Sequence, residues 1–469
     1  MNNKKIIHVL VFFSVLFLSL ITYLTVIEVI YRDDYVSNSF NTRNSAKEFN
    51  IIRGRILDRK GEVLAYSKIE DDVHKRYYPY ENLYSHVIGY CSPIYGKSLL
   101  ETSYNSELLG EEIITSFFNF RDSFSGEKKK GNDLVLTIDH NLQKRASNLL
   151  GNRSGAVIAS NPKTGEILAM VSKPDFNPNQ TYLASNWDSL SQKESAPLLA
   201  RATMGLYAPG STYKIVTASA LIENGMDDLT VSDNGSITIG DHTIKNAGGA
   251  YHGDLGIEDA FRLSSNVYFA SAGVKLKTTR MRTAAENFLI NKKIGFDISY
   301  NKSRFASGSF TESENAITAI GQGRLLVSPL QMNLITCAIA NGGNIIKPHL
   351  MKKITTNNGF TVRSAKKETL TRAVSEECAD TIKDYMLKVV ENGTGTAARI
   401  SGVKVCGKTG TAENEKTDAN PNATHAWFTC FAPYDDPEIA VTVMIEYGGS
   451  GGGVAAPIAR EIIRSYLGR

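Results

Sequence analysis

Three short motifs carry side chains that could run acyl transfer if they met in space: Ser211-Thr212-Tyr213-Lys214, Ser264-Ser265-Asn266 and Lys408-Thr409-Gly410. A serine hydroxyl is a poor nucleophile at its free pKa and needs a base beside it. A lysine three residues on shares a helix face with it, and acts as base only where desolvation or a nearby cation depresses its pKa. Lys408 is the candidate cation. Ser264 offers a second hydroxyl to relay a proton between nucleophile, base and leaving amine, and Asn266 offers an amide to hold a substrate backbone. Lys408 and Thr409 present a cation and a hydroxyl to a substrate carboxylate, and Gly410 lets a substrate backbone lie close. The backbone N–H groups of Ser211 and Thr411 would form an oxyanion hole.

No single motif carries this reading. Ser-x-x-Lys recurs at Ser125, Ser160, Ser299, Ser364 and Ser401, and Lys-Thr-Gly recurs at Lys163-Thr164-Gly165. That second copy follows Asn161-Pro162 between two apolar runs, so it reads as a hairpin turn. Ser125–Lys128 runs into the charged segment Glu127-Lys128-Lys129-Lys130, as a solvated turn does. Ser-x-Asn alone is more often a helix cap with local hydrogen bonding.

The surrounding elements separate the copies. Ser211 follows Ala208-Pro209-Gly210 and precedes the apolar run Ile215–Ile222, which predicts a buried helix with Ser211 in its first turn. A helix N-terminus supplies free N–H groups and positive partial charge, which suit an alkoxide and then an oxyanion. Ser264-Ser265-Asn266 has apolar sequence on both sides, as at a turn between buried helices. Lys408-Thr409-Gly410 follows an alternating run that reads as a strand, with two more strands at 426–432 and 439–446. These three strands and the hairpin at 155–172 predict an antiparallel five-stranded sheet flanked by helices, an α+β layered domain.

With these motifs in order, the chain from about residue 131 resembles the transpeptidase domain of class B penicillin-binding proteins, the monofunctional cell-wall cross-linking enzymes. Asn161–Met170, Ile320-Gly321-Gln322-Gly323, Ser328–Met332 and Ala340-Asn341-Gly342-Gly343 are similar to further segments of that domain, and Arg53–Ala65 is similar to the start of the class B pedestal. The resemblance implies a penicillin-binding/serine β-lactamase-like fold, a D,D-transpeptidase that acts on D-Ala-D-Ala stem peptides of peptidoglycan through a serine acyl-enzyme, and covalent capture by β-lactams. Ser211, Lys214 and Ser264 would be catalytic, and Asn266, Lys408, Thr409, Gly410 and Thr411 would bind substrate. It implies no cofactor. Two other classes share the motifs: a serine β-lactamase, and a β-lactam-binding sensor or scaffold without turnover. Class A β-lactamases add a glutamate for deacylation, for which Glu312-Ser313-Glu314-Asn315 is the nearest candidate and is wrongly spaced.

The run from Ile6 to Ile27 carries no charged side chain and is long enough to cross a bilayer; Lys4 and Lys5 before it place the N-terminus in the cytoplasm. The expected organisation is a cytoplasmic N-terminus at 1–5, an uncleaved signal anchor at 6–30, a pedestal at 31–152 and a transpeptidase domain at 153–469, outside a cell membrane crossed once. The 31–152 segment, with a Lys128–Lys130 hinge, is too short for a glycosyltransferase domain. By resemblance, glycan polymerisation would then fall to a separate membrane polymerase of the shape, elongation, division or sporulation type. A net charge of +4 without basic–aromatic clusters argues against nucleic acid. The five cysteines form no disulfide framework. Cys406 and Cys430, with His425 near, read as buried thiols on neighbouring strands rather than as metal ligands.

Overall fold

A computed structural model describes residues 3–30, 51–70, 73–111, 129–417, 419–420 and 423–469. The Ser125–Lys128 copy and Lys128 of the hinge lie outside the described residues.

The catalytic half is built on five antiparallel strands in the order Ile167–Lys173, Gly155–Ser160, Ile439–Ile445, His425–Ala432, Cys406–Ala412. Their side chains are almost continuously buried, because both faces are covered. Val157, Ala159, Val441 and Val443 pack with helices His140–Leu150 and Ala456–Leu467. The alternate residues Ala156, Ile158, Ala440 and Met444 pack with helix Pro329–Ala340. Lys163-Thr164-Gly165 lies in the turn joining the first two strands. Asn161 closes that turn, its carboxamide oxygen accepting from the Lys163 and Thr164 N–H groups.

A second, six-stranded sheet runs Thr361–Ser364, Met351–Thr355, Asp133–Leu136, Ile56–Leu57, Val63–Glu70, Val73–Tyr77. Two of its strands come from the segment assigned by sequence to the transpeptidase domain, and Met351–Thr355 pairs directly with Asp133–Leu136. Helix His140–Leu150, assigned by sequence to the pedestal, instead covers the catalytic sheet. The two halves are further joined at Asp297, whose carboxylate accepts from the Tyr104 hydroxyl at 3.0 Å and from the Leu350 and Met351 N–H groups. Pedestal and catalytic half therefore interlock near residues 133–150 rather than meeting at a clean junction.

Helix Asn3–Ile30 is exposed along its apolar length, and Lys4–Ile27 is long and apolar enough to cross a membrane.

Candidate active site

Gly210–Tyr213 forms a 3-10 turn that leads into helix Lys214–Glu223, so Ser211 sits one short turn ahead of the regular helix. The approach is pinned: Trp427 Nε1 donates to the Ala208 carbonyl at 3.1 Å, and the Gly210 N–H donates to Gly321 O at 2.9 Å. Gly210 has φ +53, and a Cβ there would lie 2.5 Å from the Thr411 carbonyl oxygen. A side chain at this position would push the Ser211 turn off the Cys406–Ala412 strand. Gly410 also has a packing role within the fold. A Cβ on it would meet Thr212 Cγ2 at 2.9 Å and the Pro209 carbonyl at 3.0 Å, so the glycine seats the strand against the Ser211 turn.

Lys214 is fully buried, and its amine reaches the Ser264–Asn266 turn: Ser264 O at 2.7 Å, Asn266 Oδ1 at 2.8 Å and Ser264 Oγ at 3.3 Å. Ser264 follows helix Ile257–Leu263 and has φ +60, in the left-handed region; Ser265 then caps helix Asn266–Asn287 by accepting from Tyr268 N–H. This backbone turn aims the Ser264 carbonyl at Lys214 and leaves its hydroxyl between Lys214 and a second lysine. Lys408, on the edge strand Cys406–Ala412, is also fully buried and donates to Ser264 Oγ at 2.8 Å. Thr409 shares a 2.6 Å hydroxyl–hydroxyl bond with Thr394. Thr411 is exposed beside it.

Burial pushes the Lys214 amine well below its ordinary pKa, and Lys408 lowers it further, with Asp233 opposing. Burial alone brings Lys408 down to about 7. A neutral Lys214 donates its two N–H bonds to the Ser264 carbonyl and the Asn266 amide oxygen, which can only accept, and keeps its lone pair free. Ser264 Oγ can accept from Lys408 and still hold a proton to give.

The structure thus brings Lys214, Ser264, Asn266 and Lys408 into one hydrogen-bonded group, with Ser211, Thr409, Gly410 and Thr411 on the two elements that bracket it. Sequence reasoning missed the support beneath. Asp233, Asn246 and Ser265 form a buried polar cluster under the Ser264 turn, and a lone Asp before Asn234-Gly235 looks in sequence like an ordinary turn residue. Cys406 and Cys430 are both fully buried, but they pack into the clusters on opposite faces of the sheet, while His425 stands at the far end of its strand. Glu314 closes a capping box with Thr311 at the start of helix Glu312–Ala319.

A domain model described as penicillin binding protein transpeptidase domain matches residues 155–464, and one described as penicillin binding protein A dimerisation domain matches residues 53–134. The chain belongs to the penicillin-binding protein transpeptidase family, and the solved structures it is similar to are of class B penicillin-binding proteins. It is 31% identical, over 99% of each chain, to the peptidoglycan D,D-transpeptidase PbpA of Mycolicibacterium smegmatis. It is 31% identical to the peptidoglycan D,D-transpeptidase MrdA of Acinetobacter baumannii over 84% of this chain and 66% of that one. The ceftriaxone acyl-enzyme of penicillin-binding protein A from M. tuberculosis superposes with a TM-score of 0.85 at 28% identity, covering 90% of this chain and 99% of the other. A D,D-transpeptidase domain from Eggerthella lenta superposes at 0.81 with 35% identity, covering 89% and 99%.

Proposed function

We propose that this protein is a peptidoglycan D,D-transpeptidase that works through an acyl-enzyme on Ser211 and is trapped there by β-lactams. The observation that carries the reading is the pair of fully buried lysines, Lys214 and Lys408, joined through one serine hydroxyl at the foot of the Ser211 turn. Neutral Lys214 takes the Ser211 proton as Oγ attacks the penultimate D-Ala carbonyl of a stem peptide. The oxyanion is met by the N–H groups of Ser211 and Thr411. The C–N bond then breaks, and the departing D-Ala nitrogen gains its proton through Ser264. An amine of a second stem peptide attacks the ester, gives up its proton to Lys214 and restores the Ser211 hydroxyl. Lys408 and Thr409 would hold the terminal carboxylate of the donor, with Asn266 on its backbone.

The use of Glu314 as a cap supports transpeptidation over β-lactamase turnover, since one of the two carboxylates in the nearest candidate segment, Glu312-Ser313-Glu314-Asn315, is engaged at a helix end. Helix Asn3–Ile30 would anchor the enzyme with its catalytic half outside the membrane, beside a separate glycan polymerase. Ser211→Ala should abolish labelling by fluorescent penicillin while thermal unfolding is retained; persistent labelling of that variant sinks the assignment. Intact-protein mass spectrometry should show the wild-type adduct outlasting a β-lactamase turnover. Its loss within seconds, with hydrolysed penicillin accumulating, would favour the hydrolase.

A further inference from the structure

We propose that Asp233 is a positioning residue for acylation: its carboxylate, buried beneath the Ser264-Ser265-Asn266 turn, holds Ser264 where it can present its carbonyl to Lys214 and its hydroxyl to Lys408. The proposal rests on the reading of Ser211 as the acylated residue.

Asp233 ends strand Val231–Asp233, is paired with Gly253–Leu255 and is wholly shielded from solvent. Oδ1 accepts from the Gly235 N–H at 2.9 Å and from Asn246 Nδ2 at 2.7 Å. Oδ2 accepts from the Ser265 hydroxyl at 2.6 Å and again from Asn246 Nδ2 at 2.8 Å. Each of these bonds forces the next. Because the Asn246 NH2 faces the carboxylate, its oxygen must face the other way, where it accepts from the N–H groups of Asn266 at 2.8 Å and Val267 at 3.2 Å. Because the Ser265 proton goes to Asp233, its oxygen is left to accept from Tyr268 N–H at 3.0 Å. The carboxylate thereby sets the orientation of both groups that cap helix Asn266–Asn287 and pin its first residues.

Ser264, immediately before, holds a left-handed backbone that a non-glycine residue keeps only when its surroundings impose it. That conformation directs its carbonyl to Lys214 and its hydroxyl to Lys408. Asp233 lies behind the turn and touches neither lysine through any of these bonds, so its part is geometric support. It also acts through space. The charged groups that bear on Lys214 are Lys408 from the neighbouring strand and Asp233 from below, with His252 beside Asp233. Removing the Asp233 charge lets the Lys214 pKa fall further, so the acid limb of acylation should move to lower pH.

The test uses the full chain, penicillin and two variants, with Asp254→Asn as control. Asp254 is an exposed carboxylate on the paired strand that bonds the Ser232 hydroxyl. Asp233→Asn should lower the plateau acylation rate about 10- to 100-fold, the scale of a misplaced catalytic group, and shift the acid limb downward. Ser265→Ala cuts the bond to Asp233 and the cap on Tyr268 N–H but keeps the charge, so it should lower the plateau without moving the limb. Asp254→Asn should change neither. A folded Asp233→Asn or Ser265→Ala that acylates at the wild-type rate overturns the proposal, and where Asp233→Asn does not fold, Ser265→Ala alone decides. A wild-type chain that forms no Ser211 adduct defeats the functional reading instead, so the two failures are distinct.

Discussion

Glu101 in the pedestal and the two lysines of the cleft are equally hidden from water, yet they are treated in opposite ways. Burial pushes the Glu101 pKa up, but Arg76 and Arg53 outweigh it and bring it down to about 2. Their guanidinium nitrogens stand 2.7 and 2.6 Å from its oxygens, and the Tyr78 hydroxyl adds a third donor. The charge is fully matched, so the group stays ionised and serves the fold. Lys214 and Lys408 form no ion pair with a carboxylate among the described residues; their partners are neutral oxygens. Without a counter-charge, desolvation wins and the amines move toward neutrality. A buried charge that is paired marks architecture, and one left unpaired marks a site where a proton must move.

The largest expected effect tests that contrast at Lys214. Arginine keeps the positive charge but cannot release its proton, so Lys214→Arg should acylate at least about 1000-fold slower than wild type, close to Lys214→Ala. Stopped-flow penicillin acylation reads this directly, and an Arg variant near wild-type rate would place the base elsewhere.

Next is Glu101→Gln, which removes the carboxylate charge that Arg53 and Arg76 share. It should cost about 3–5 kcal/mol in urea unfolding, as breaking a buried pair does, while the folded fraction still acylates at the wild-type rate. The native pKa lies below the ordinary value of 4.5, so the wild-type stabilisation is present above pH 4.5 and fades as pH falls toward about 2. The wild-type advantage over the variant should shrink over that window.

Lys408→Met should move stability the other way. The native pKa of about 7 lies below the ordinary 10.5, so the unfolded chain binds more protons between those values and stability rises with pH across that range. Removing the amine should therefore raise Tm by roughly 2–6 °C at pH 6, with the gain shrinking toward pH 10, at the expense of substrate capture. Scanning calorimetry at the two pH values checks it.

The smallest effect belongs to a half-exposed pair. Lys347–Glu368 spans 2.8 Å with side chains 38% and 56% exposed, and Lys347→Ala should change stability by less than about 0.5 kcal/mol.

The cleft was legible because its chemistry is written in local strings. Pro209-Gly210 before Ser211 and the alternating run before Lys408 announced their elements, and the five-stranded antiparallel sheet followed from one hairpin and three sequential strands. What stayed hidden depends on pairings with no local trace. Asp233, Asn246 and Ser265 are ordinary turn residues until the fold stacks them under Ser264. Met351–Thr355 gives no sign that its partner is Asp133–Leu136, since both strands are short and their pairing is set by tertiary packing. Nor does the Lys-Thr-Gly string show that a side chain at Gly410 would run into Thr212 and Pro209 of the Ser211 turn.

That remote pairing bears on how the chain is made. Ribosomes supply residues from the N-terminus at about 5–20 per second, so roughly 10–40 s separate the emergence of Leu136 from that of Met351. Throughout that interval Asp133–Leu136 has Ile56–Leu57 on one side and nothing of its own sheet on the other. An open strand edge is an invitation to wrong partners. The nascent pedestal is thus a natural client for a holding chaperone, and a stalled or truncated product ending before residue 351 would be prone to aggregate although its own sequence contains no fault.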